Sequence, residues 1–599
     1  MIPSEWRRSL VVPVPKKMGG GVCVPDTFRG IALTSVVCKV FCHILKERLV
    51  TVVEEYNLVE EEQGGSRKGR GCRDQIVSLM LLGQTKLATQ EGGFLAAFID
   101  FSKAYDRVCR KKLWECLRGY GVSGKFLVML QALYLENSVE VKIGDKRSDH
   151  FPVNTGLRQG CVLSPLLFSL YINGLVVELK RRRCGVECGG LLIPGLLFAD
   201  DTSLFGEDVE GLEQSLMVLE EWCSRWGMKV NAEKSAIIHF RKKSCLQWDH
   251  EFSIGGEVIP MVTKYKYLGC VIDEFLDLNA MVDDRVEAGR RALGSLLRGA
   301  QSAVGVMFGG TFKKLYDSMV QSVLLYGAEA WGCLRCLEPL EQVQLRAFRS
   351  YFGVPRSHPR TSLLAEMEVL SVGWEARIRC IGFWHRILTD QRYHQRLIQR
   401  LAYAALMTPR RRSQWMGKLR ICLEAFGWQD CSCAALAGVS GRQLREMLRS
   451  IACRCMEKDW TEDLGSKPKL CVLNSVYVNG LNGRCWKVQE KSHRRMLMML
   501  RGGSAPLQIE TGRWKGVPRE ERLCRECGMN EVEDCDHWLL RCPRWDIERQ
   551  HLLTNVQERL PNFASVSDDM QRSAAITDLA CEDRRTARLI YSMWTARFG

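Results

Sequence analysis

An α+β fold is predicted for these 599 residues. Through roughly the first 240 residues, apolar runs of strand length alternate with helical segments, and two of those runs meet aspartate. From about residue 275 onward the apolar positions recur at helical spacing instead. Strand-bearing sequence followed by mostly helical sequence is the mark of segregated rather than alternating architecture.

The elements follow in chain order. Leu10–Pro15 (LVVPVP) reads as a short strand entering the Lys- and Gly-rich turn Lys16–Gly21. Phe94–Phe101 (FLAAFIDF) is an almost continuous apolar run closing on an acid, as a buried central strand would. Ser164-Pro165 reads as a helix start, with Ser as N-cap and Pro at the first position, ahead of LLFSLYINGLVVELK. Leu191–Phe205 is two apolar runs meeting at Asp200-Asp201. In the later helical region, Val286, Leu293, Leu296 and Leu297 fall on one face, with Arg290, Arg291 and Arg298 towards others. The basic clusters Arg410–Arg412 and His493–Arg495 read first as solvated helix faces, with phosphate contact as the alternative. Internal repeats and low-complexity tracts are absent from the sequence.

A net charge of +16, from 85 basic and 69 acidic residues, suits a polyanionic partner such as nucleic acid. The 27 cysteines are scattered without the spacing of a secreted disulfide framework. Met1–Lys17 lacks the apolar run of a signal peptide, and no stretch approaches a membrane span. An intracellular protein of the nucleus or cytoplasm, neither secreted nor membrane-bound, is expected.

The chemistry is carried by Asp100, Asp200 and Asp201. If their strands are neighbours, the carboxylates converge and repel unless cations bind between them. Such a cluster is what in-line phosphoryl transfer with two Mg²⁺ ions requires. Around these residues FIDFSKAYDRV (Phe98–Val108), GLRQGCVLSPLLFSLYIN (Gly156–Asn173), FADD (Phe198–Asp201), GMKVNAEKS (Gly227–Ser235) and KYKYLG (Lys264–Gly269) stand in sequence. Upstream lie FRGIALTSVVCKVF and QGGSRKGRGCRDQI. In content and order these motifs resemble the reverse transcriptases of non-LTR, LINE-type retrotransposons.

That resemblance implies a right-hand polymerase with fingers, palm and thumb, copying an RNA template into DNA from a primer or nicked target 3′-hydroxyl with dNTPs. It implies fingers and palm over residues 1–275, a helical thumb over 276–400, a helical basic connector over 401–515, and a C-terminal region over 516–599. Asp100, Asp200 and Asp201 match the Mg²⁺-binding carboxylates. Tyr105 matches the aromatic position beneath the incoming sugar, where a bulky ring excludes a 2′-hydroxyl. Gln159 and Gly160 match the loop that touches the nucleotide, and Arg29, partnered by Lys16 or Lys17, matches the triphosphate-holding arginine. Lys234 matches a lysine that protonates the leaving pyrophosphate. Where the family often has Phe and Ser/Thr, this chain has Ser66 and Gly71-Cys72, which puts template contacts near Arg67–Arg70 in question.

Near the end, Cys524, Cys527, His537 and Cys542 are spaced C-x2-C-x9-H-x4-C, ordered as in a Cys₃His structural zinc site. The preceding IETGRWKGVPREERLCREC resembles the stretch before the terminal zinc knuckle of LINE proteins. Two other readings compete with the polymerase. One is a domesticated or truncated remnant that binds nucleic acid without polymerising; the other is an RNA-dependent RNA polymerase, against which Tyr105 and the knuckle argue. An endonuclease has no room ahead of Asp100, since Ile2–Lys17 already resembles fingers sequence. The expectation is a chain that extends a supplied primer without nicking DNA itself.

Overall fold

The computed structural model describes residues 2–15, 25–299, 309–408, 415–428, 438–476 and 484–598. The chain forms two compact units: 1–281 with 383–424 and 428–437, and 282–382 with 425–427 and 438–599.

Seven strands of the first unit position the site: β1 (Arg8–Pro15), β2 (Phe28–Leu33), β3 (Phe94–Ile99), β4 (Ser138–Ile143), β5 (Gly195–Phe198), β6 (Asp201–Gly206) and β7 (Ala236–Phe240). They fall into two sheets. In one, β1 pairs antiparallel with β2 and parallel with β4. The other is antiparallel throughout, in the order β7-β3-β6-β5. All six residues of β3 are buried, which explains why its sequence is continuously apolar rather than alternating. The helix Val209–Trp226 packs against β3 and β6, and Cys72–Thr89 packs against β5. The α+β class read from the sequence is the class observed.

One helix start differs from its reading. The helix Ser164–Arg181 is capped by Leu163, so Pro165 sits inside the first turn rather than at its first position. The Ser164 hydroxyl meets the Tyr134 hydroxyl at 3.3 Å instead of capping the helix.

Residues 383–424 return to the first unit. The helix Leu397–Met407 lies on the helix Cys72–Thr89. Polar contacts fix the return: the Tyr393 hydroxyl donates to Asp74 (3.2 Å), Arg396 to the Gly69 carbonyl (3.0 Å), and the Trp415 N–H to Gln84 Oε1 (2.5 Å). Compactness therefore groups the chain differently from the order of its segments along the sequence.

The second unit is helical among its described residues apart from a single bridge, Leu523 to Val532. In the helix Leu278–Gly299, Val286, Leu293 and Leu296 are buried, Leu297 is half-buried, and Arg290, Arg291 and Arg298 are exposed. The cluster His493–Arg495 is not a solvated face throughout. Arg494 is fully buried, its guanidinium 4.0 Å from the Tyr351 ring centre and donating to the Val488 carbonyl at 3.0 Å, and only Arg495 is exposed. Arg410–Arg412 lie outside the described residues. Among the described residues no helix is long and apolar enough to cross a membrane.

Candidate active site and metal centre

Strand β3 ends at Ile99, paired with Thr202 of β6, and one further step of that register sets Asp100 beside Asp201. Strands β5 and β6 form a hairpin that closes at the pair Phe198–Asp201, leaving Ala199 and Asp200 as its two-residue turn. Three carboxylates from two points in the sequence, 100 positions apart, therefore stand together at one edge of one sheet.

Two-residue hairpin turns favour positive φ, and Ala199 adopts φ +59° without being glycine. A brace holds it there. Gln63 Oε1 accepts from the Ala199 N–H (3.1 Å) and from the Gly65 N–H (2.7 Å). Alongside, the Leu197 N–H donates to the Glu62 carbonyl (2.9 Å) and the Gly64 N–H to the Leu197 carbonyl (2.8 Å). Gly65 has to be glycine, since a Cβ there would lie 2.2 Å from the Ala199 nitrogen.

Asp100 is fixed through its backbone. Its N–H donates to Ser235 Oγ (3.1 Å), its carbonyl accepts from the Asn231 N–H (2.8 Å), and Ser235 in turn donates to the Asn231 carbonyl (2.8 Å). Lys234 is exposed on the short turn Ala232–Lys234 between these two residues.

The aspartates feel one another. Burial, then the charges of Asp200 and Asp100, push the Asp201 carboxyl up to about 6. Burial and Asp100 raise Asp200 as well, against the opposing pull of Arg29. Burial and Asp200 push the Tyr105 phenol up to about 12, while burial, Asp201 and Asp100 do the same for Tyr265. Four side chains thus register one concentration of negative charge, open to solvent at Asp200 and Asp201. Such a donor set fits hard divalent cations, which relieve the repulsion.

Tyr105 stacks on Phe168, ring centres 4.8 Å apart at 15°. Gln159 donates to Asp106 Oδ1 (3.1 Å), and its carbonyl accepts from the Ala32 N–H (2.7 Å) on β2. Gly160 has φ +113°, and a Cβ there would meet the Ala32 carbonyl oxygen at 2.5 Å. The loop glycine is therefore demanded by strand β2. Arg29 is exposed on that same strand, opposite Val14. Lys16 and Lys17 lie outside the described residues.

The family model described as reverse transcriptase (RNA-dependent DNA polymerase) matches residues 14–272, a span that contains all three aspartates. Residues 14–272 are a reverse transcriptase domain.

Its relatives are mobile-element proteins. An RNA-directed DNA polymerase from the mobile element jockey of Drosophila melanogaster is 24% identical over 59% of this chain and 38% of that protein. The Pol polyprotein of the type-2 retrotransposable element R2DM, also of Drosophila melanogaster, is 28% identical over 45% of this chain and 25% of that protein. The chain thus spans well under half the length of these relatives. Apo telomerase from Candida Tropicalis superposes with a TM-score of 0.37 and 12% identity, over 75% of this chain and 70% of that one. The sheet topology above, and not that superposition, describes the fold of the reverse transcriptase domain.

Two residues of the domain escaped the sequence reading, Gln63 and Ser235. Both act on backbone, Gln63 on the hairpin turn and Ser235 on Asp100. A polar side chain ahead of a Gly-Gly pair was the one available signal for Gln63. The neighbouring basic residues have structural roles: Arg67 is buried and forks onto Glu54 (2.9 and 2.9 Å), and Arg70 forks onto Glu61 (2.8 and 2.5 Å). Gln63→Ala should leave two backbone donors without their acceptor, at a cost of about 1–3 kcal/mol. Primer extension should fall about 10- to 100-fold through kcat, the rate consequence of such a loss at the turn. An unchanged kcat with an unchanged melting temperature would remove Gln63 from the site.

In the second unit, Cys524, Cys527, His537 and Cys542 bring their ligand atoms within 4.8 Å of one another. Cys524 Sγ and Cys542 Sγ are 4.0 Å apart, and Cys527 Sγ is 3.5 Å from His537 Nε2. Ligands about 2.0–2.3 Å from a tetrahedral centre have edges of about 3.5–3.8 Å, so the cluster is somewhat wider than a closed zinc site and would tighten around an ion. His537 Nδ1 meets Glu531 Oε2 at 3.1 Å, a carboxylate that would turn Nε2 towards the metal.

Proposed function

We propose that this chain is the RNA-directed DNA polymerase of a non-LTR retrotransposon, extending a DNA 3′-hydroxyl on an RNA template. The carrying observation is the convergence of Asp100, Asp200 and Asp201 at one edge of the sheet within the reverse transcriptase domain. Two Mg²⁺ ions held there would activate the attacking 3′-hydroxyl and neutralise charge on the departing pyrophosphate. Arg29, with Lys16, would hold the triphosphate, because a planar guanidinium binds phosphate oxygens in pairs. Gln159 and Gly160 would line the nucleotide and Lys234 would return a proton to pyrophosphate. Cys524, Cys527, His537 and Cys542 would hold one structural zinc. The working division is fingers and palm over 1–275, thumb over 276–400, connector over 401–515 and knuckle region over 516–599, acting on template RNA and primer or target DNA inside the cell.

Tyr105, packed flat on Phe168 and near Asp200, is proposed as the sugar gate. The test is Mg²⁺-dependent extension of a DNA primer on RNA with dNTPs and, separately, NTPs. The parent protein should prefer dNTPs. Tyr105→Ala should relax that preference by about tenfold or more, the scale on which a pocket senses one added hydroxyl. Equal discrimination by both proteins would place the gate elsewhere, and failure of the parent to use an RNA template would end the reading itself.

A further inference from the structure

The loop Glu60–Gly71 joins two parts of the first unit that lie far apart in sequence. One side of it bears the brace on the catalytic turn, where Gln63 Oε1 holds the Ala199 N–H and the Gly64 N–H holds the Leu197 carbonyl. Arg67, buried within the loop, ties Gln63 to its neighbours by donating to the carbonyls of Val59 (3.1 Å), Glu60 (2.9 Å) and Gln63 (3.5 Å). Just beyond the loop, Gln75 Nε2 donates to the Glu62 carbonyl (3.0 Å) and to the Leu197 carbonyl (3.2 Å). Loop and hairpin are thereby one hydrogen-bonded piece.

The other side of the loop is gripped by the returning segment at three points. The Leu397 N–H donates to Glu61 Oε2 (3.3 Å), a carboxylate that also takes the Arg70 fork. Arg396 donates to the Gly69 carbonyl (3.0 Å). The Tyr393 hydroxyl donates to Asp74 Oδ1 (3.2 Å), whose Oδ2 accepts from the Gly71 N–H (2.7 Å). The Tyr393 ring is itself seated, edge-on to Phe383 at 6.3 Å and 89°, with the Arg396 guanidinium 5.2 Å from its centre. The cavity between the segment, the loop and the helix Cys72–Thr89 measures about 20 Å³, room for about one water. A shift of the segment is therefore passed on to the loop rather than absorbed by solvent.

The catalytic turn needs such support. Ala199 holds a positive φ without being glycine, a conformation that persists only where its surroundings over-determine it. Reacting groups have to be held to within about 0.5 Å, and misplacement by about 1 Å costs about 100-fold in rate. We propose that Tyr393 and Arg396 are positioning residues for nucleotide addition, clamping the loop Glu60–Gly71 and, through Gln63, fixing the turn at Ala199 and Asp200. Both stand outside the matched span 14–272. The proposal rests on the polymerase reading, since it concerns the rate of that reaction.

The test is pre-steady-state addition of a single dNTP by the full chain to a DNA primer on an RNA template. Tyr393→Phe/Arg396→Ala should slow the burst about tenfold or more, part of the cost of a displacement of about 1 Å. The burst amplitude, which counts competent protein, and the dNTP concentration giving half-maximal rate should stay at the parent values. A merely structural role would lower the amplitude instead. In the Gln63→Ala background the same two substitutions should cost less than about twofold more, because residues acting through one link are not additive. Tyr393→Phe alone keeps the ring and its packing, and should slow the burst about threefold, the rate equivalent of one hydrogen bond. Arg392→Ala, which removes an exposed arginine paired with Asp390 in the same segment, should leave the rate unchanged. A parent-like burst rate, a loss carried by amplitude, or a fully additive loss in Gln63→Ala would overturn the role of the segment. A parent protein that adds no nucleotide would instead overturn the polymerase reading itself.

Discussion

Asp200→Asn should yield a folded protein that extends a primer at least about 10³-fold more slowly, the scale of lost transition-state charge stabilisation. Asp200 occupies the hairpin turn and is exposed, so the amide fits where the carboxylate was while the metal cluster loses a charge. A second readout separates lost chemistry from lost fold. Burial, Asp200 and Asp100 together raise the Asp201 carboxyl from 3.8 to about 6, so its charged form is disfavoured in the folded protein. The sign follows from linkage: this penalty is present above the folded value of about 6 and fades as pH falls, vanishing below 3.8. Discounted for solvent screening at an exposed site, it is about 1 kcal/mol. In EDTA at neutral pH, Asp200→Asn removes the Asp200 share of that penalty and leaves the burial share, so it should melt no lower than the parent, with any gain shrinking in acid. Near-parent extension would remove these aspartates from the chemistry, and a lower melting temperature would mean that the loss of rate came from the fold.

The largest structural effect is expected at the cysteine cluster. Cys524→Ser/Cys527→Ser removes half of the ligand set and should abolish one bound zinc per chain. Structural zinc sites contribute about 10–16 kcal/mol to folding at neutral pH. The segment joined by the Leu523–Val532 bridge and the 2.8 Å bond from the Cys524 N–H to the Glu531 carbonyl should lose its order. Amide exchange across residues 523–542 should become fast, while extension on a short synthetic template persists. Slow exchange in a protein shown by metal analysis to contain no zinc would mean that the cluster folds without an ion.

The parts of the site that could be read from the sequence are those with a local signature. Asp100 closes a run buried at every position, and Asp200-Asp201 divides two apolar runs, so strand ends and acids coincide in the one-dimensional pattern. Tyr105 stands out in the sequence only through its neighbours in a motif. Gln63 has no such signature, because its partner Ala199 is 136 positions away and the bond goes to backbone, whose need for an acceptor no residue type announces. Ser235 was overshadowed by Lys234, a more chemically suggestive neighbour on the same turn. At Arg67 the charge serves the fold, since Glu54, 13 positions earlier, takes the guanidinium. Arg494, in a cluster read first as a solvated face, is instead buried against the ring of Tyr351. The return of residues 383–424 to the first unit was invisible for a related reason, since Tyr393 and Asp74 are 319 positions apart.

That return sets the order in which the protein can mature on the ribosome. The helix Cys72–Thr89 is buried along most of its length, and part of its cover is Leu397–Met407. Between residues 1–281 and 383–424 of the first unit lie residues 282–382, which is 101 residues (382 − 281) belonging to the other unit. At roughly 5–20 residues per second, synthesis of that intervening stretch alone takes roughly 5–20 s. Throughout that interval the nascent polymerase domain has its sheet and its aspartates, yet an apolar helix surface is still waiting for its cover. A polypeptide ended at residue 272, where the family match stops, would remain in that state permanently. It should be a client for chaperones that shield exposed apolar surface, and release from them should coincide with emergence of the chain beyond residue 424.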